Sequence, residues 1–426
     1  MDIMTIILFL IFAALLLTTT PIAVAMGLTS LIYFVLFIDF PLTQLSENLF
    51  HGLNKFSLMA VPFFVLAANI MSQGGISKRI ISMANAMVGH LKGGLGVTAV
   101  LSCMFFAAIS GSSPATVVAV GTLLIPEMIK AGYDKKFASG IIATSGSLGI
   151  LIPPSIAFIV YGIATEQSIG DLFLAGIIPG LLGGLMIIIL VIVISRFRTV
   201  STFAFPRTTW REKFKAFRES LLSLLLPIFI IWGIYGGIFT PTEAAGMAVF
   251  YALIVSLFVY REIKWKDLIA ITIRSARTSA MILFIIVNAM LFSFVLTYER
   301  IPAELTSLIT GMNLQPWAFL IVVNLLLLIV GAFMDTISAL VILAPILLPV
   351  AMELGIHPIH FGVIMVMNLE IGLITPPFGV NLFVASGITK IPPLRVAQGA
   401  TPSALVLLAA LMLVTYIPYL ALALIK

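Results

Sequence analysis

The chain has 426 residues, of which 61% are hydrophobic and 9% are charged, and its mean hydropathy is +1.21. A soluble globular domain carries about 25% charged residues, so this composition excludes one and indicates a membrane protein. No polar stretch is long enough for a nucleotide-binding domain and no Walker-type loop occurs, which argues against a self-contained ATP-driven pump.

Long continuous apolar runs predict spanning α-helices, because β-barrel strands give only short alternating segments. The first run lacks a basic leader and a small-residue cleavage site, so we expect a retained helix rather than a signal peptide. Cys103 lies in an apolar run and is predicted to be a structural thiol. Ten spans are expected, near residues 3–20, 22–38, 57–73, 137–165, 172–195, 221–239, 242–260, 278–297, 358–389 and 399–424.

Two further apolar stretches, 93–129 and 315–352, are interrupted in the middle by polar residues. If both stretches turn back there, all but three of the 23 Lys and Arg fall on one side of the membrane. The positive-inside rule makes that side cytoplasmic and places both termini on the external side. If either stretch crossed instead, this asymmetry would be lost, so we predict two re-entrant helical hairpins, one entering from each face.

The motif GILIPP at Gly149 recurs as GLITPP at Gly372. The offset between these two glycines also aligns Ser112 with Asp335. Each half contains five spans and one hairpin, and an odd number of crossings inverts the second copy. Duplicated segments interrupted by Gly and Pro are typical of secondary transporters that bind substrate between the repeats. We predict a first inverted repeat at 1–196, a cytoplasmic amphipathic linker at 197–220 and a second inverted repeat at 221–426.

The helix breaks that follow Gly149 and Gly372 predict ligands. In hydrocarbon, a broken helix is tolerated only where protein, water or an ion satisfies the freed backbone groups. The prolines remove amide donors and leave carbonyl oxygens, which suit a small cation such as sodium. Helices that begin near Pro114 and Ile337 would point their positive dipole ends at the same region, where an anion could bind.

Asp335 and Glu370 are the carboxylates that we place deep in the membrane, where an Asp costs about 2.5–3.5 kcal/mol on insertion scales. For Asp335 we favour a sodium or substrate role over capping of the second hairpin helix. For Glu370 we favour capping or pairing over direct ligation. Glu243 follows Thr240 at a helix start and is expected to cap that helix.

Other polar residues give weaker signals. Arg274 and Arg277 are expected to reach the inner headgroups, with contact to a departing anionic substrate as the alternative. His357 and His360 lack companion cysteines or acids, so no transition-metal site is expected. No general base lies near Ser112 in the sequence, so no nucleophile and no enzyme activity are expected.

The tip sequences GSSPAT and MDT, the two double-proline breaks and the segment GIFTPTEAAGMAVFYAL from Gly237 to Leu253 resemble one family over essentially the whole chain. This family is the large membrane subunit of TRAP (tripartite ATP-independent periplasmic) transporters, in the ion transporter superfamily. The resemblance implies an all-α, elevator-type importer in the bacterial inner membrane that is driven by Na⁺ and has no other cofactor. It also implies a small transmembrane subunit and a periplasmic substrate-binding protein as partners, besides lipids, and no nucleic acid. The implied cargo is an organic acid, with sialic acid slightly favoured over a C4-dicarboxylate.

The resemblance also implies roles for individual residues. One sodium ion would use oxygens near the first hairpin tip and the first break. A second sodium ion would use oxygens near the second hairpin tip and the second break, and substrate would lie between the two ions. The first group is Ser110, Ser112, Ser113, Ser147 and Gly149; the second is Asp335, Thr336, Ser338, Gly372 and Thr375; the substrate group is Pro154, Ser155, Pro377 and Asn381.

Two alternatives remain open. A stand-alone carboxylate transporter, coupled to sodium or protons, would need no binding protein. An intramembrane enzyme or a channel is a different class; the missing catalytic set argues against the enzyme, and the duplicated blind-ended hairpins argue against the channel.

Overall fold

In the computed structural model, residues 3–18, 20–38, 41–197, 208–312 and 314–425 are described, and these ranges contain helices but no strand. Short 3₁₀ turns at Phe56–Met59 and Leu148–Ile150 adjoin α4 and α8, and a π-helical stretch at Ile254–Val259 continues α12. The α-helices are α1 (Ile3–Leu17), α2 (Ile22–Phe37), α3 (Leu42–Leu53), α4 (Ala60–Gln73), α5 (Ile76–Val88), α6 (Gly94–Ser110), α7 (Ser113–Lys130), α8 (Lys135–Ser147), α9 (Ile156–Thr165), α10 (Ile169–Phe197), α11 (Trp210–Tyr235), α12 (Pro241–Leu253), α13 (Trp265–Tyr298), α14 (Ile301–Gly311), α15 (Pro316–Phe333), α16 (Thr336–Glu353), α17 (Pro358–Gly372), α18 (Val380–Thr389), α19 (Pro393–Tyr416) and α20 (Tyr419–Leu422).

Eight helical runs in the described part of the chain are long and apolar enough to cross a membrane. The predicted all-α, multi-pass class is therefore confirmed. Each of the ten predicted spans coincides with one helix or with a broken pair, whereas α3, α5 and α14 occupy stretches in which no span was predicted. The eight runs are Phe56–Gln73, Ile169–Phe197, Trp210–Tyr235, Pro241–Val259, Trp265–Tyr298, Pro316–Phe333, Thr336–Glu353 and Pro393–Tyr416.

The order of helices recurs along the chain. Helices α6 to α10 are followed by α15 to α19 with matching lengths and links, and α7 and α16 both have 18 residues and start at equivalent positions of the two copies. Helices of the two sets also pack on each other: α7 of the first set packs on α18 of the second, and α16 of the second packs on α9 of the first. Helix order alone does not fix orientation relative to a bilayer, so the inversion of the second copy and the repeat boundaries stay predictions.

The predicted linker at 197–220 is only partly described, since residues 198–207 lie outside the described ranges. Its second part is not separate from the following span, because α11 runs from Trp210 to Tyr235 without interruption. Thr209 and Glu212 form a capping box: the Glu212 N–H donates to Thr209 Oγ1 at 3.3 Å and the Thr209 N–H donates to Glu212 Oε2 at 2.7 Å. The Thr-x-x-Glu spacing is typical of such a helix start. Trp210 is 86% exposed, and the amphipathic, cytoplasmic character of the linker stays a prediction.

The two apolar stretches predicted to be hairpins each form two helices joined by a two-residue link. Gly111 and Ser112 join α6 to α7, and Gly111 has φ 58°, in the left-handed region that glycine adopts without strain. Met334 and Asp335 join α15 to α16. Since α15 and α16 are each long enough to cross by length and composition, the re-entrant form stays a prediction.

Both predicted helix breaks are present. The first separates the 3₁₀ turn that ends at Ile150 from α9, and the second separates α17 from α18. The two Pro–Pro bonds within them are cis. Cys103 is a buried free thiol, consistent with the structural role that its apolar run predicted.

Candidate functional site

A cavity of about 430 Å³ lies among the two helix links and the two helix breaks. We call residues 110–115 the first tip, 335–337 the second tip, 148–156 the first break and 373–380 the second break. All four contribute to the lining, and α4 and α13 complete the wall. The described lining contains no Lys, Arg or His; its polar members are Asn69, Ser110, Ser112, Thr278, Asp335 and Thr336.

At the first tip, hydroxyl and carbonyl oxygens gather around the start of α7. The Ser110 and Thr116 hydroxyl oxygens lie 2.9 Å apart, and both hydroxyls can donate to the Ser112 carbonyl oxygen, at 3.2 and 2.9 Å. Gly149 of the first break packs against this group, since a Cβ there would lie 2.8 Å from Thr116 Oγ1. The structure thus brings together Ser110, Ser112 and Gly149 of the predicted first sodium group.

Asn381, on α18, joins the two halves behind the first tip. Its Nδ2 donates to Ser113 Oγ at 2.5 Å, to Ser147 Oγ at 3.1 Å and to the Ala143 carbonyl at 3.3 Å. Ser147 Oγ in turn donates to the Glu370 carbonyl at 3.3 Å, which links equivalent positions of the two copies. Asn381 is fully buried by these contacts and lies outside the cavity lining.

At the second tip, Asp335 caps α16: Oδ2 accepts the Ser338 N–H at 3.0 Å and Oδ1 accepts the Ser338 hydroxyl at 2.6 Å. Asp335 therefore performs the capping that was our alternative, while its ligand role stays a prediction. Thr336 donates to Glu370 Oε1 at 2.8 Å. The Glu370 carboxyl group is buried, and its Oε2 has no hydrogen-bond partner among the described residues.

The other members of the second sodium group lie along the second break. Gly372 packs so closely on Gly331 that a Cβ would lie 2.4 Å from the Gly331 carbonyl carbon. The Thr375 hydroxyl donates to the Ile371 carbonyl of its own helix at 2.8 Å. Among the described residues, Thr375 makes no direct hydrogen bond to Asp335.

None of the four predicted substrate residues lies in the cavity lining. Pro154 is buried, with its carbonyl oxygen against Gly111. Ser155 caps α9 by accepting the Phe158 N–H at 3.3 Å. Pro377 is exposed. Their chain neighbours Ile156, Ala157 and Val380 line the cavity instead.

Of the polar residues outside the cavity, Glu243 takes its predicted capping role, whereas the headgroup contacts of Arg274 and Arg277 stay predictions. Glu243 and Thr240 form a capping box, with the Thr240 N–H donating to Glu243 Oε2 at 2.8 Å. Arg274 and Arg277 are exposed and absent from the lining. His357 caps α17 by accepting the Ile359 N–H at 3.2 Å. No cluster of His, Cys, Asp and Glu that could hold a metal occurs among the described residues.

Sequence reasoning missed Asn69, Thr116 and Thr278. Asn69 is a polar residue inside an apolar span, a signal that marks functional positions in membrane proteins. Thr278 opens the apolar part of a span and carries no such signal. Thr116 lies four residues after Ser112, so the two share one helix face, which was readable from the spacing.

A cavity lined by interrupted helices in an all-helical protein with several apolar runs long enough to cross a membrane is typical of a membrane transporter. Comparison with known proteins identifies which kind. Residues 9–420 match the family described as "Tripartite ATP-independent periplasmic transporter, DctM component". The chain belongs to this family, as a large permease subunit, and the resemblance noted from its motifs is confirmed.

Two relatives and one solved structure illustrate the match. The C4-dicarboxylate TRAP transporter large permease protein DctM of Pseudomonas aeruginosa is 48% identical over 400 residues, covering 94% of this chain and 93% of that protein. The isethionate TRAP transporter permease protein DctMQ of Oleidesulfovibrio alaskensis is 41% identical, covering 96% of this chain and 64% of that protein. The crystal structure of the Alcanivorax borkumensis YdaH transporter has a TM-score of 0.60 at 15% identity, covering 90% of this chain and 89% of that one, and supports the fold alone.

Proposed function

We propose that this permease imports an organic acid across the bacterial inner membrane by sodium-coupled symport, and that the cargo occupies the cavity between the tips. The observation that carries the proposal is the composition of the cavity wall. Both tips and both breaks, which come from the two copies of one motif, line a single volume of about 430 Å³. Interrupted helices that meet at a cavity are how transporters present helix ends and free backbone groups to ligands.

The first tip is suited to the acidic group of the cargo. Ser112, the residue before α7, makes no side-chain cap. The Ser113 and Ala115 N–H groups lie in the first turn, where an α-helix offers no carbonyl partner, and Pro114 has no N–H. A carboxylate bound there would accept these donors and interact favourably with the positive end of the helix dipole.

Sodium would bind on either side of the cargo. In support, hydroxyl and carbonyl oxygens of Ser110, Ser112 and Thr116 gather at the first tip, and Asp335 places a carboxylate on the cavity at the second tip. Oxygen ligands of this kind suit hard cations. The remaining predicted ligands, such as Ser147 and Gly372, lie close behind the two tips.

An elevator motion is the proposed route of access. In support, α7 packs on α18 and α16 packs on α9, so the hairpin helices and the broken helices form one interlocked bundle. Helices α4 and α13 form the wall that faces both tips. We propose that the bundle moves against this wall as a rigid body, and that the two halves are inverted repeats.

A small transmembrane subunit and a periplasmic binding protein are the proposed partners, and both termini of this chain are placed in the periplasm. The DctMQ relative, which this chain covers over 64% of its length, supports a second membrane component as a partner. Helices α1, α2, α11 and α12 are the candidate contact surface for it. The C4-dicarboxylate named for the Pseudomonas relative supports an organic-acid cargo and favours that class over the sialic acid that we preferred from sequence.

Uptake into proteoliposomes tests the proposal. Permease and small subunit are reconstituted, and uptake of radiolabelled organic acids is measured with and without the binding protein and with an inward Na⁺ or K⁺ gradient. We expect saturable uptake only with both binding protein and Na⁺. Uptake that persists without the binding protein would support the stand-alone alternative, and uptake that is indifferent to Na⁺ would contradict sodium coupling.

A further inference from the structure

Helix α11 carries an exposed apolar stripe along its whole length. The residues of the stripe follow one another at intervals of three or four, so they share one face of the helix. Their exposed fractions run from 37% to 86%. The stripe begins with Trp210, Phe214 and Phe217 and ends with Ile228, Trp232 and Tyr235. Since α11 is long and apolar enough to cross a membrane, such a face is expected to contact lipid or another membrane protein.

A row of basic side chains lies beside the first part of this stripe. Arg211, Lys215 and Arg218 each follow a stripe aromatic by one position, so they form a second row on the neighbouring flank. All three are exposed, and none of them forms an ion pair among the described residues. Glu212 and Glu219, the acidic residues of α11, lie on the flank away from the stripe. Because like charges at this spacing repel each other, an anion that neutralises the row would stabilise it.

Packing against α5 fixes the direction in which both rows face. Ala216 packs with Met83 and Ala86 of α5, and the Ser220 hydroxyl lies 2.8 Å from the Arg79 carbonyl oxygen. The buried side of this part of α11 therefore faces α5, and the stripe and the basic row are turned away from it.

The length of α11 places the basic row beyond the hydrocarbon core. At about 1.5 Å per residue, the 26 residues from Trp210 to Tyr235 extend about 39 Å, whereas the core is about 30 Å thick. The basic row lies in the first half of the helix, so it reaches the headgroup region when the apolar remainder spans the core. Trp and Tyr at the two ends of the helix are typical of the membrane–water interface.

We propose that the basic row of α11 binds the phosphate group of an anionic phospholipid whose acyl chains lie along the stripe. The two rows match the two parts of such a lipid, since Lys and Arg beside Trp and Phe on one helix are typical of binding to anionic lipids. Preference for a net negative headgroup distinguishes this site from ordinary contact with lipid. The small subunit is the competing occupant, because α11 is among the candidate contact helices for it.

Quenching of Trp210 fluorescence by phospholipids with brominated acyl chains tests the site locally. The other three tryptophans are replaced in the full-length permease, as Trp232→Phe, Trp265→Phe and Trp317→Phe. The protein is reconstituted in liposomes that mix phosphatidylglycerol and phosphatidylcholine, with one of the two lipids brominated. The quenching by each lipid gives the binding constant of phosphatidylglycerol relative to phosphatidylcholine at Trp210.

We expect this ratio to be at least about five at low salt, which corresponds to about 1 kcal/mol for one basic residue near an anionic membrane. The ratio should fall toward one as the salt concentration rises, because salt screens exposed charges. The salt titration needs no substitution in the row, so it tests the site independently of the stability of any row variant.

The row variant combines Arg211→Gln, Lys215→Gln and Arg218→Gln. It should lower the ratio to about one and leave quenching by phosphatidylcholine unchanged, because the stripe is intact.

The matched control combines Lys130→Gln, Lys135→Gln and Arg395→Gln. These residues are also exposed and are predicted on the same side of the membrane, but they lie outside α11. The control removes the same charge and should keep the ratio.

Equal quenching by the two lipids, a ratio that is indifferent to salt, a preference that survives in the row variant or a preference lost in the control would each overturn the site. A tryptophan-free small subunit is then reconstituted with the permease. If it abolishes quenching by both lipids, a protein covers this face and the proposal falls. Uptake plays no part in these measurements, so a failure of sodium-driven uptake would leave the lipid site standing.

Discussion

The two tips occupy equivalent places in the duplicated sequence, yet their local chemistry differs. Ser112 leaves the start of α7 without a side-chain cap, whereas its counterpart Asp335 caps α16 with both carboxylate oxygens. The first helix end therefore offers free N–H donors, and the second is already neutralised by a carboxylate. The two equivalent helix ends therefore differ in their capping, and the proposed site for the acidic group of the cargo lies at the uncapped one.

The two breaks differ in their surroundings as well. Ser155 and Phe378 hold equivalent positions in the two copies, but Ser155 is fully buried, whereas Phe378 is 59% exposed. The first break is covered because Gly176 of α10 lets that helix approach the Leu151 carbonyl. The equivalent residue, Gly399 of α19, packs on the Lys136 backbone of α8 instead. The second break is therefore the more accessible of the two.

Thiol labelling should give the largest contrast between the breaks. Cys103 is the single cysteine and is buried, so Cys103→Ala provides a cysteine-free background. In that background, Phe378→Cys should react rapidly with a maleimide in the detergent-purified protein, and Ser155→Cys should be protected, because reactivity requires access to the thiol. Both variants should label fully after denaturation. Equal protection of the two folded variants would contradict the difference in exposure.

A smaller contrast is expected at the glycines of the two breaks. A Cβ at Gly372 would lie 2.4 Å from backbone atoms of Gly331, which cannot rotate away, whereas a Cβ at Gly149 would meet the Thr116 hydroxyl at 2.8 Å. Overpacking costs about 1–3 kcal/mol, and we expect Gly372→Ala at or above the upper end of this range and Gly149→Ala at the lower end.

Thermal unfolding in detergent measures both glycine variants, with Gly387→Ala as the control because a Cβ there meets nothing within 4 Å. A melting temperature for Gly372→Ala that equals that of the control would show that α15 and α17 can move apart without loss of stability. A larger drop in melting temperature for Gly149→Ala than for Gly372→Ala would reverse the comparison.

Much of this architecture was readable from the sequence, because a membrane constrains helices strongly. The double-proline breaks and the link at Gly111 and Ser112 follow from Pro and Gly chemistry that acts within a few residues, and the helix start at Thr336 follows from the capping residue Asp335. Helix α5 was missed because it has too few apolar residues for a membrane span and too many polar residues for a buried helix. The start of α11 was missed although Thr209 and Glu212 carry a local capping signal.

The site was less predictable than the fold. Ser110, Ser112, Asp335 and Thr336 were found because polar residues inside apolar hairpins stand out. Asn69 and Thr278 reach the cavity only because α4 and α13 pack across from the tips, and no local pattern encodes that contact. Asn381 was assigned to substrate, but its amide is directed at Ser113 and Ser147, which only the packing of α18 on α7 and α8 determines.

The smallest contrast lies at the helix caps of the two tips. Asp335→Ala should destabilise the protein by about 1 kcal/mol, since removal of an N-cap typically costs about 0.5–2 kcal/mol, and Ser112→Ala should cost less because Ser112 makes no cap. Asp335→Asn separates capping from charge: the amide oxygen can still accept the Ser338 N–H, so stability should be close to wild type.

If Asp335 also serves as a cation ligand, Asp335→Asn should raise the Na⁺ concentration needed for half-maximal uptake. Ser112→Ala, which keeps its carbonyl oxygen, should raise that concentration less. Melting temperatures and Na⁺ titrations of uptake give the two readouts separately, and an Asp335→Asn variant with unchanged Na⁺ dependence would reduce Asp335 to a helix cap.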